Sequence, residues 1–385
     1  MSRIASVLVS LVRVPLDSAV SFSTRTVSAR DFCLVKIRSV DGHEGIGVCY
    51  AGSAGGNIVR IAVEELLAPR LIDEESTWVE GLWEEMYRDA LLQGRAGSVM
   101  RALSALDIAL WDLNARAVGL PLFRYFGCWA KDRIPAYVGG GYYAEGKTPQ
   151  KLGEELAGYV QQGFKAVKIK VARLNPAQEE DRVRAAREAI GPEIRLMLDA
   201  NNAWSDMPAA LAYCRRFEKY DPYWIEEPFS PDDIDNHAKL AARIGVAIAT
   251  GESESGRWRF KELLEKRCAE ILQPDAAVCG GISEWRRIAQ TAASYGVTVS
   301  PHWFHDLHIH LVASVPNGSY IEFLPDTKVF NFGRLIDRQL EIQNGDLLLP
   351  QGPGLGFQFD EQAVAKYAVT KTQTWTSIIS SGKGS

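Results

Sequence analysis

The chain has 385 residues, enough for one large domain with an attachment or for two domains. Hydrophobic residues make up 46% and charged residues 24%, and a formal net charge of −5 with no long basic run argues against DNA or RNA as the main partner. No apolar run reaches bilayer-crossing length, and six scattered cysteines without a CxxC pair give no zinc or disulfide framework, as in a cytoplasmic protein with reduced thiols.

The N-terminal stretch MSRIASVLVSLVRVPL is interrupted by Arg13 and lacks a small-residue cleavage pattern, so it does not read as a signal peptide. Val7, Val9 and Leu11 alternate with Ser6 and Ser10 and predict a first strand. Strand patterns at 29–40 and 44–50 flank an Asp41-Gly42 turn. Helical patterns follow at 58–71, 77–92 and 98–118, the last with Leu103, Leu106, Leu110 and Leu113 on a helical period. Residues 1–130 therefore read as an α+β domain.

From residue 131 the texture changes. Apolar strands at 134–138, 166–170, 195–199, 222–226, 246–250, 271–274, 297–300 and 320–323 alternate with helices, with caps and stops where helix ends need them. Eight such strands over 131–344 predict a parallel (β/α) barrel of ordinary length, with an open doubly wound sheet as the competing arrangement. The tail, 345–385, has a different character and is expected to return to the N-terminal domain.

Residues 141–148 contain a full textual match to a phosphate loop: Gly141, four residues, then Gly146-Lys147-Thr148, between a strand and a helix. A nucleotide hydrolase is thus the rival class. Pro149 counts against it, because the residue before proline is pushed out of the helical region. Thr148 then becomes a helix cap, with Pro149 at the first helical position.

Barrel enzymes carry their chemistry at the C-terminal strand ends. Here strand two ends in Lys168-Ile-Lys170, strand three in Asp199-Ala-Asn201 and strand four in Glu226-Glu227. Strand five leads to Glu252, strand six to Asp275 and strand seven to His302, while strand eight contains Glu322. Asp199, Glu226 and Glu252 come from successive strands roughly 4.8 Å apart and can converge on a hard cation, Mg²⁺ or Mn²⁺. Lys168 and Lys170 lie on one flank, and a second lysine with a cation nearby is expected to lower a lysine's pKa toward that of a base. On the other flank Asp275 can fix the tautomer of His302. Bases on either side of a metal suit removal of the proton α to a carboxylate. His305, His308 and His310 fall on a predicted helix with packing or surface roles.

These residues resemble the enolase superfamily, mandelate racemase subgroup, over nearly the whole chain. Residues 102–112 (ALSALDIALWD), Trp224-Ile-Glu-Glu-Pro228 and Gln273-Pro-Asp275 are similar to its signatures, although Tyr125 stands where leucine is usual. The resemblance implies a modified TIM barrel under an α+β cap, with Glu226 rather than Glu227 as metal ligand. It implies that Glu322 bonds the substrate carboxylate or enolate oxygen and that Asn201 lies near the substrate. Cap loops around 16–30 and 50–56 would close the mouth. The acid-sugar dehydratases are most similar, which implies Lys170 as base and His302 as acid in the loss of a 3-hydroxyl from an aldonate or aldarate. Racemisation, epimerisation and lactone cycloisomerisation are the alternatives, and the two roles exchange for the opposite C2 configuration. The family also implies a homo-oligomer with a small-molecule sugar acid as partner. Tyr142 or Tyr143 is expected at the mouth, with Lys147 dispensable.

Overall fold

The computed structural model describes residues 2–324, 330–370 and 373–379. Three antiparallel strands open the chain: β1 (Ile4–Ser21), β2 (Thr26–Ser39) and β3 (Glu44–Tyr50). The helix Gly97–Ala117 lies against this sheet, and its fit depends on two glycines of β3. A Cβ on Gly45 would stand 2.2 Å from Ala109 O, and one on Gly47 1.9 Å from Ala105 O, so only glycine permits this approach.

The helix expected at 58–71 is three pieces: α-helical Gly56–Ile61, a π-turn Ala62–Leu67 and a 3₁₀ turn Ala68–Arg70. Pro69 is the physical reason, since it donates no hydrogen bond and its ring crowds the preceding turn.

The second sheet is a ring of parallel strands: β4 (Arg133–Gly140), β5 (Ala166–Lys170), β6 (Arg195–Asp199), β7 (Pro222–Glu226), β8 (Ala247–Thr250), β9 (Ile271–Leu272), β10 (Thr298–Val299) and β11 (Ile321–Phe323). β11 pairs with β4. Val299 N donates to Asn317 O at 2.9 Å and Ser319 N donates to Val299 O at 3.0 Å. These bonds close the ring, so the sheet is a barrel and not an open doubly wound sheet. β9 stops earlier than expected, at Leu272, next to Pro274, which has no N–H for the ladder.

The tail divides. β13 (Asp346–Leu348), which follows the short β12 (Ile342–Gln343), pairs antiparallel with the start of β4. Leu355 N then donates to Asp112 Oδ1 on the long helix at 2.6 Å, and β14 (Thr376–Ile379) pairs with β1. Residues 371, 372 and 380–385 of the expected tail, and 325–329 of the expected barrel region, lie outside the described residues. Among the described residues no helix is long and apolar enough to cross a membrane.

The β1–β2 hairpin leans over the C-terminal mouth of the barrel. Its register shifts between Pro15 and Val20, which lets the end turn away from the sheet. Ser23 Oγ donates to Val171 O at 2.6 Å, Thr24 Oγ1 to Asn201 O at 3.4 Å, and Arg173 to Phe22 O at 3.2 Å.

Candidate active site

Side chains two apart on a strand share a face, so the barrel interior is built in layers. Tyr137, Ala166, Met197, Trp224, Ala249 and Ile271 form an apolar floor. Two residues further along their strands come Lys168, Asp199 and Glu226. The interior face thus changes from apolar to charged within one residue pair. Strand register sets Lys170 beside Asp199 and Asp199 beside Glu226. The floor is also polar at its tips: Trp224 Nε1 donates to Glu226 Oε2 at 3.1 Å, and Tyr137 Oη lies 3.5 Å from Lys168 Nζ.

Lys168 Nζ lies 2.6 Å from Glu226 Oε1, 2.8 Å from Glu322 Oε1 and 3.5 Å from Asp199 Oδ2. Lys170 Nζ lies 2.5 Å from Asp199 Oδ2. Across the site, His302 Nδ1 is 3.1 Å from Asp275 Oδ2, and its Nε2 is 3.6 Å from Glu252 Oε1. Asp275 caps the short helix after β9, with Oδ1 accepting from Ala277 N at 2.8 Å. Trp303 N donates to Glu322 Oε2 at 2.9 Å, made possible by positive φ at Trp303 (54°) and Phe304 (32°). Asn201 N donates to Asp199 Oδ1 at 2.9 Å, and Asn201 Oδ1 is buried without a hydrogen-bond partner. The Tyr142 ring centre is 5.6 Å from Lys170 Nζ and packs on Phe22, whereas the Tyr143 hydroxyl turns to Glu179 at 2.5 Å.

The structure thus brings Lys168, Lys170, Asp199, Glu226 and Glu322 into one contact network, with Glu252, His302 and Asp275 in a second chain of contacts. Among the described residues no three acidic or histidine groups converge closely enough to hold a metal by themselves. The ammonium groups of the two lysines stand among the carboxylates instead. Burial pushes the Glu226 carboxyl up, and repulsion from Asp199 adds to this, so its pKa rises to about 8 despite Lys168. Burial and the nearby Glu252 also raise Glu227. Burial pulls Lys170 down, but Asp199, Tyr142 and Glu226 together outweigh it and the pKa is raised; Glu226, Glu322, Tyr137 and Asp199 together do the same for Lys168. The expectation of a lowered lysine pKa is therefore not met in this state, because each ammonium faces more anions than cations. Burial likewise disfavours a charged His302, but Glu252 and the bond to Asp275 raise its pKa.

A divalent cation fits this donor set. Asp199, Glu226 and Glu322 lie against Lys168 and Lys170, Glu252 lies against His302, and repulsion from Asp199, Glu322 and Glu252 adds to burial in lifting Glu226. Oxygen donors alone suit Mg²⁺ or Mn²⁺.

The phosphate-loop match has another use. Thr148 caps the helix Pro149–Gln161, accepting from Lys151 N at 3.3 Å. Lys147 pairs with Glu155 of that helix, and Gly141 N donates to Glu155 Oε1 at 2.9 Å. The cation and an amide that would face a phosphate face a carboxylate of the chain itself. His308 and His310 are packing groups: His308 Nε2 accepts from Ala276 N at 2.9 Å, and His310 Nδ1 from Phe123 N at 3.2 Å. Glu227 is 1% exposed and accepts from Asn202 at 2.9 Å, so it is not a surface group.

Sequence reasoning places the 16–30 loop at the mouth without singling out Phe22 or Arg30, and assigns no role to Trp303. Arg30 is buried and its Cζ lies 4.1 Å from the Trp303 ring centre, while Trp303 stacks on His302 at 4.8 Å. Phe22 lies 5.2 Å from Lys170 Nζ.

A closed barrel with lysines on one side of an acidic cluster, a His–Asp dyad on the other and an α+β cap defines a class of capped barrel enzymes. The chain belongs to the mandelate racemase/muconate lactonizing enzyme family of the enolase superfamily: residues 4–127 match the model of its N-terminal domain, and 151–363 match the enolase C-terminal domain-like model. It is 33% identical over 339 residues to an arabinonate dehydratase of Saccharolobus solfataricus, covering 86% of this chain and 89% of that one. It is 31% identical over 369 residues to a 3,6-anhydro-alpha-L-galactonate cycloisomerase of Streptomyces coelicolor, covering 95% and 99%. The crystal structure of L-talarate dehydratase from Polaromonas sp. JS666, complexed with Mg and L-glucarate, superposes with a TM-score of 0.90 at 30% identity, covering 98% of this chain and 100% of that one.

Proposed function

We propose that the protein is a Mg²⁺-dependent hydro-lyase that converts an acid sugar, an aldonate or aldarate, to a 2-keto-3-deoxy acid. The observation that carries this reading is the pair of proton carriers on opposite flanks of the carboxylate cluster, Lys170 against Asp199 and His302 against Asp275. Asp199, Glu226 and Glu252 would hold the metal, which supplies positive charge to the substrate carboxylate when bound.

Lys170 removes the C2 proton, and the C–H electrons form a C1–C2 double bond. His302 Nε2 gives its proton to the 3-hydroxyl, which leaves as water as the electrons shift to C2–C3. The enol then ketonises at C2. Asp275, through Nδ1, keeps the other imidazole nitrogen free for this transfer. Lys168 and Glu322, 2.8 Å apart, share charge and a hydrogen bond with the substrate carboxylate end. Asn201, with a buried unpartnered Oδ1, can accept a substrate hydroxyl. Tyr142 walls the Lys170 side of the mouth. A substrate of opposite C2 configuration exchanges the roles of Lys170 and His302.

A second reading, cycloisomerisation, is supported by the 31% identity to the Streptomyces coelicolor cycloisomerase. We also assign residues 1–130 with the returning tail to the cap, and 131–344 to the barrel. A homo-oligomer is proposed from exposed Leu92 and Trp129, and a cytoplasmic setting from the free state of all six cysteines. The test is a screen of mono- and diacid sugars for 2-keto acid formation, before and after chelation. Restoration of turnover by Mg²⁺ is expected. Lactone opening or closing without keto acid would favour the cycloisomerase, and metal-independent turnover would overturn both readings.

A further inference from the structure

The cap sheet holds two nucleophilic groups that the proposed chemistry does not use. Cys33 of β2 stands directly opposite Cys49 of β3, and both are free thiols and fully buried. Residues opposite each other in an antiparallel pair have Cα atoms about 4.5–5.5 Å apart. A disulfide spans about 4.4–6.8 Å between Cα atoms, so the register meets its first requirement. Directly opposed side chains also share one face of the sheet, which brings the two sulfurs together. The Cys33 thiol is hydrogen-bonded to Cys49, and this bond, with burial, holds it well above the usual thiol range. Among the described strand pairings no other two cysteines face each other. Cys49 shares its face with Gly47, where Ala105 of the long cap helix approaches. The neighbouring pair, Phe32 and Tyr50, points the other way. Its rings meet Phe304 at 6.3 Å and Trp303 at 5.0 Å, next to His302.

We infer that Cys33 and Cys49 are a modification site for peroxides: they oxidise to a reversible cross-strand disulfide that ties β2 to β3 and fixes the cap sheet behind its contact with the His302 loop. Access comes from β3, the edge strand of its sheet and only 7 residues long. Local opening of that edge bares Cys49 while the barrel stays folded. The Cys49 thiolate attacks one peroxide oxygen, the O–O bond breaks, and the departing hydroxide takes up a proton to become water. Cys49 is left as a sulfenic acid. Re-pairing of β3 returns it to Cys33, whose sulfur attacks the Cys49 sulfur. The S–O bond breaks, and hydroxide leaves with the Cys33 proton as a second water. Each sulfur has then given up one electron, and the peroxide has gained two. While β3 is paired both thiols are shielded, so oxidation is slow and its rate follows the opening. Transient disulfides of this kind are the usual redox devices of a reducing compartment. The site stands whether or not the barrel dehydrates an acid sugar.

The test uses the full-length protein with Cys128→Ser, which removes the exposed thiol, alone and combined with Cys49→Ala or with Cys33→Ser. Each protein is treated with hydrogen peroxide at several urea concentrations below its unfolding transition. Remaining thiols are then alkylated, and the intact mass and the peptide map are read. The expected product has lost two hydrogens and yields one linked peptide, Cys33 to Cys49, formed faster as urea rises. Its melting temperature should lie roughly 3–6 °C above that of the reduced protein, and dithiothreitol should reverse both changes. Neither combined variant should form a bridge, and Cys33→Ser serves if Cys49→Ala does not fold. Oxygen adducts without a bridge, a bridge from either cysteine to another partner, or bridging confined to unfolded protein would overturn the assignment. So would protein left unoxidised at every urea concentration. A bridge that lowers the melting temperature would refute the fixing of the cap.

Discussion

Replacing Asp275 by asparagine separates the two proton transfers. Asp275 Oδ1 already accepts from Ala277 N at 2.8 Å, so an asparagine there must aim its carbonyl oxygen at that amide. Its NH₂ group then faces His302 Nδ1, the atom now 3.1 Å from Asp275 Oδ2. Nδ1 becomes an acceptor and the imidazole is held neutral, with its proton on Nε2. A neutral imidazole is a far weaker acid than an imidazolium. Dehydration should fall by about 10²–10⁴, the usual worth of a positioned acid, or about 3–5 kcal/mol of barrier. Lys170 and Asp199 are untouched, so exchange of the C2 proton with solvent should continue. The assay is NMR in D₂O, following the C2 proton signal and the keto acid in one sample. Dehydration within roughly threefold of wild type would remove His302 as the acid. Parallel loss of exchange and dehydration in a folded variant would make His302, and not Lys170, the group that takes the C2 proton.

Lys170→Met should abolish exchange and dehydration together, by at least about 10²-fold, in the same NMR experiment. Lys147→Ala should leave kcat/KM within about twofold, because its partner is Glu155, and its loss should cost roughly 0–1 kcal/mol in a denaturation curve. Asp107, buried between the long cap helix and Ser283, has its pKa raised to about 7 by burial. A carboxyl whose folded pKa lies above its unfolded value stabilises fully below the unfolded value, and that contribution is lost as pH rises through the folded one. Between about pH 4 and 7 wild type should therefore lose up to ~1.4 kcal/mol per unit relative to Asp107→Asn. Denaturant titrations at pH 5, 6 and 8 check this, and parallel curves for the two proteins would contradict it.

The parts of this molecule that the sequence discloses are those set by local pattern. β5, β6 and β7 are buried on both faces and bounded by turn residues, so their limits coincide with the apolar runs at 166–170, 195–199 and 222–226. Candidate groups such as Lys168, Asp199 and Glu226 stand out because a charge at the end of an apolar strand is costly to bury unless an opposite charge, a metal or a substrate faces it. What stays hidden depends on distant partners. The approach of Ala105 and Ala109 to Gly47 and Gly45 spans the cap, and the pairing of Leu347 with Ile134 spans the whole barrel. Arg30 reads as an ordinary strand charge until the fold sets it on Trp303. The direction of the lysine pKa shifts is hidden for a related reason. Proximity of two lysines is visible in Lys168-x-Lys170, but the surrounding carboxylates decide the balance.

Breaking of the C2–H bond in a metal-dependent step that ends in loss of water is tested most directly with an acid sugar carrying deuterium at C2. The substrate is turned over in ordinary water with Mg²⁺ and followed by mass spectrometry. The expected product is a 2-keto-3-deoxy acid that has lost the label, with none formed after chelation. Keto acid that carries the label at C3, moved there from C2 and not lost to water, or product that forms at the same rate without a divalent cation, would contradict the proposed chemistry.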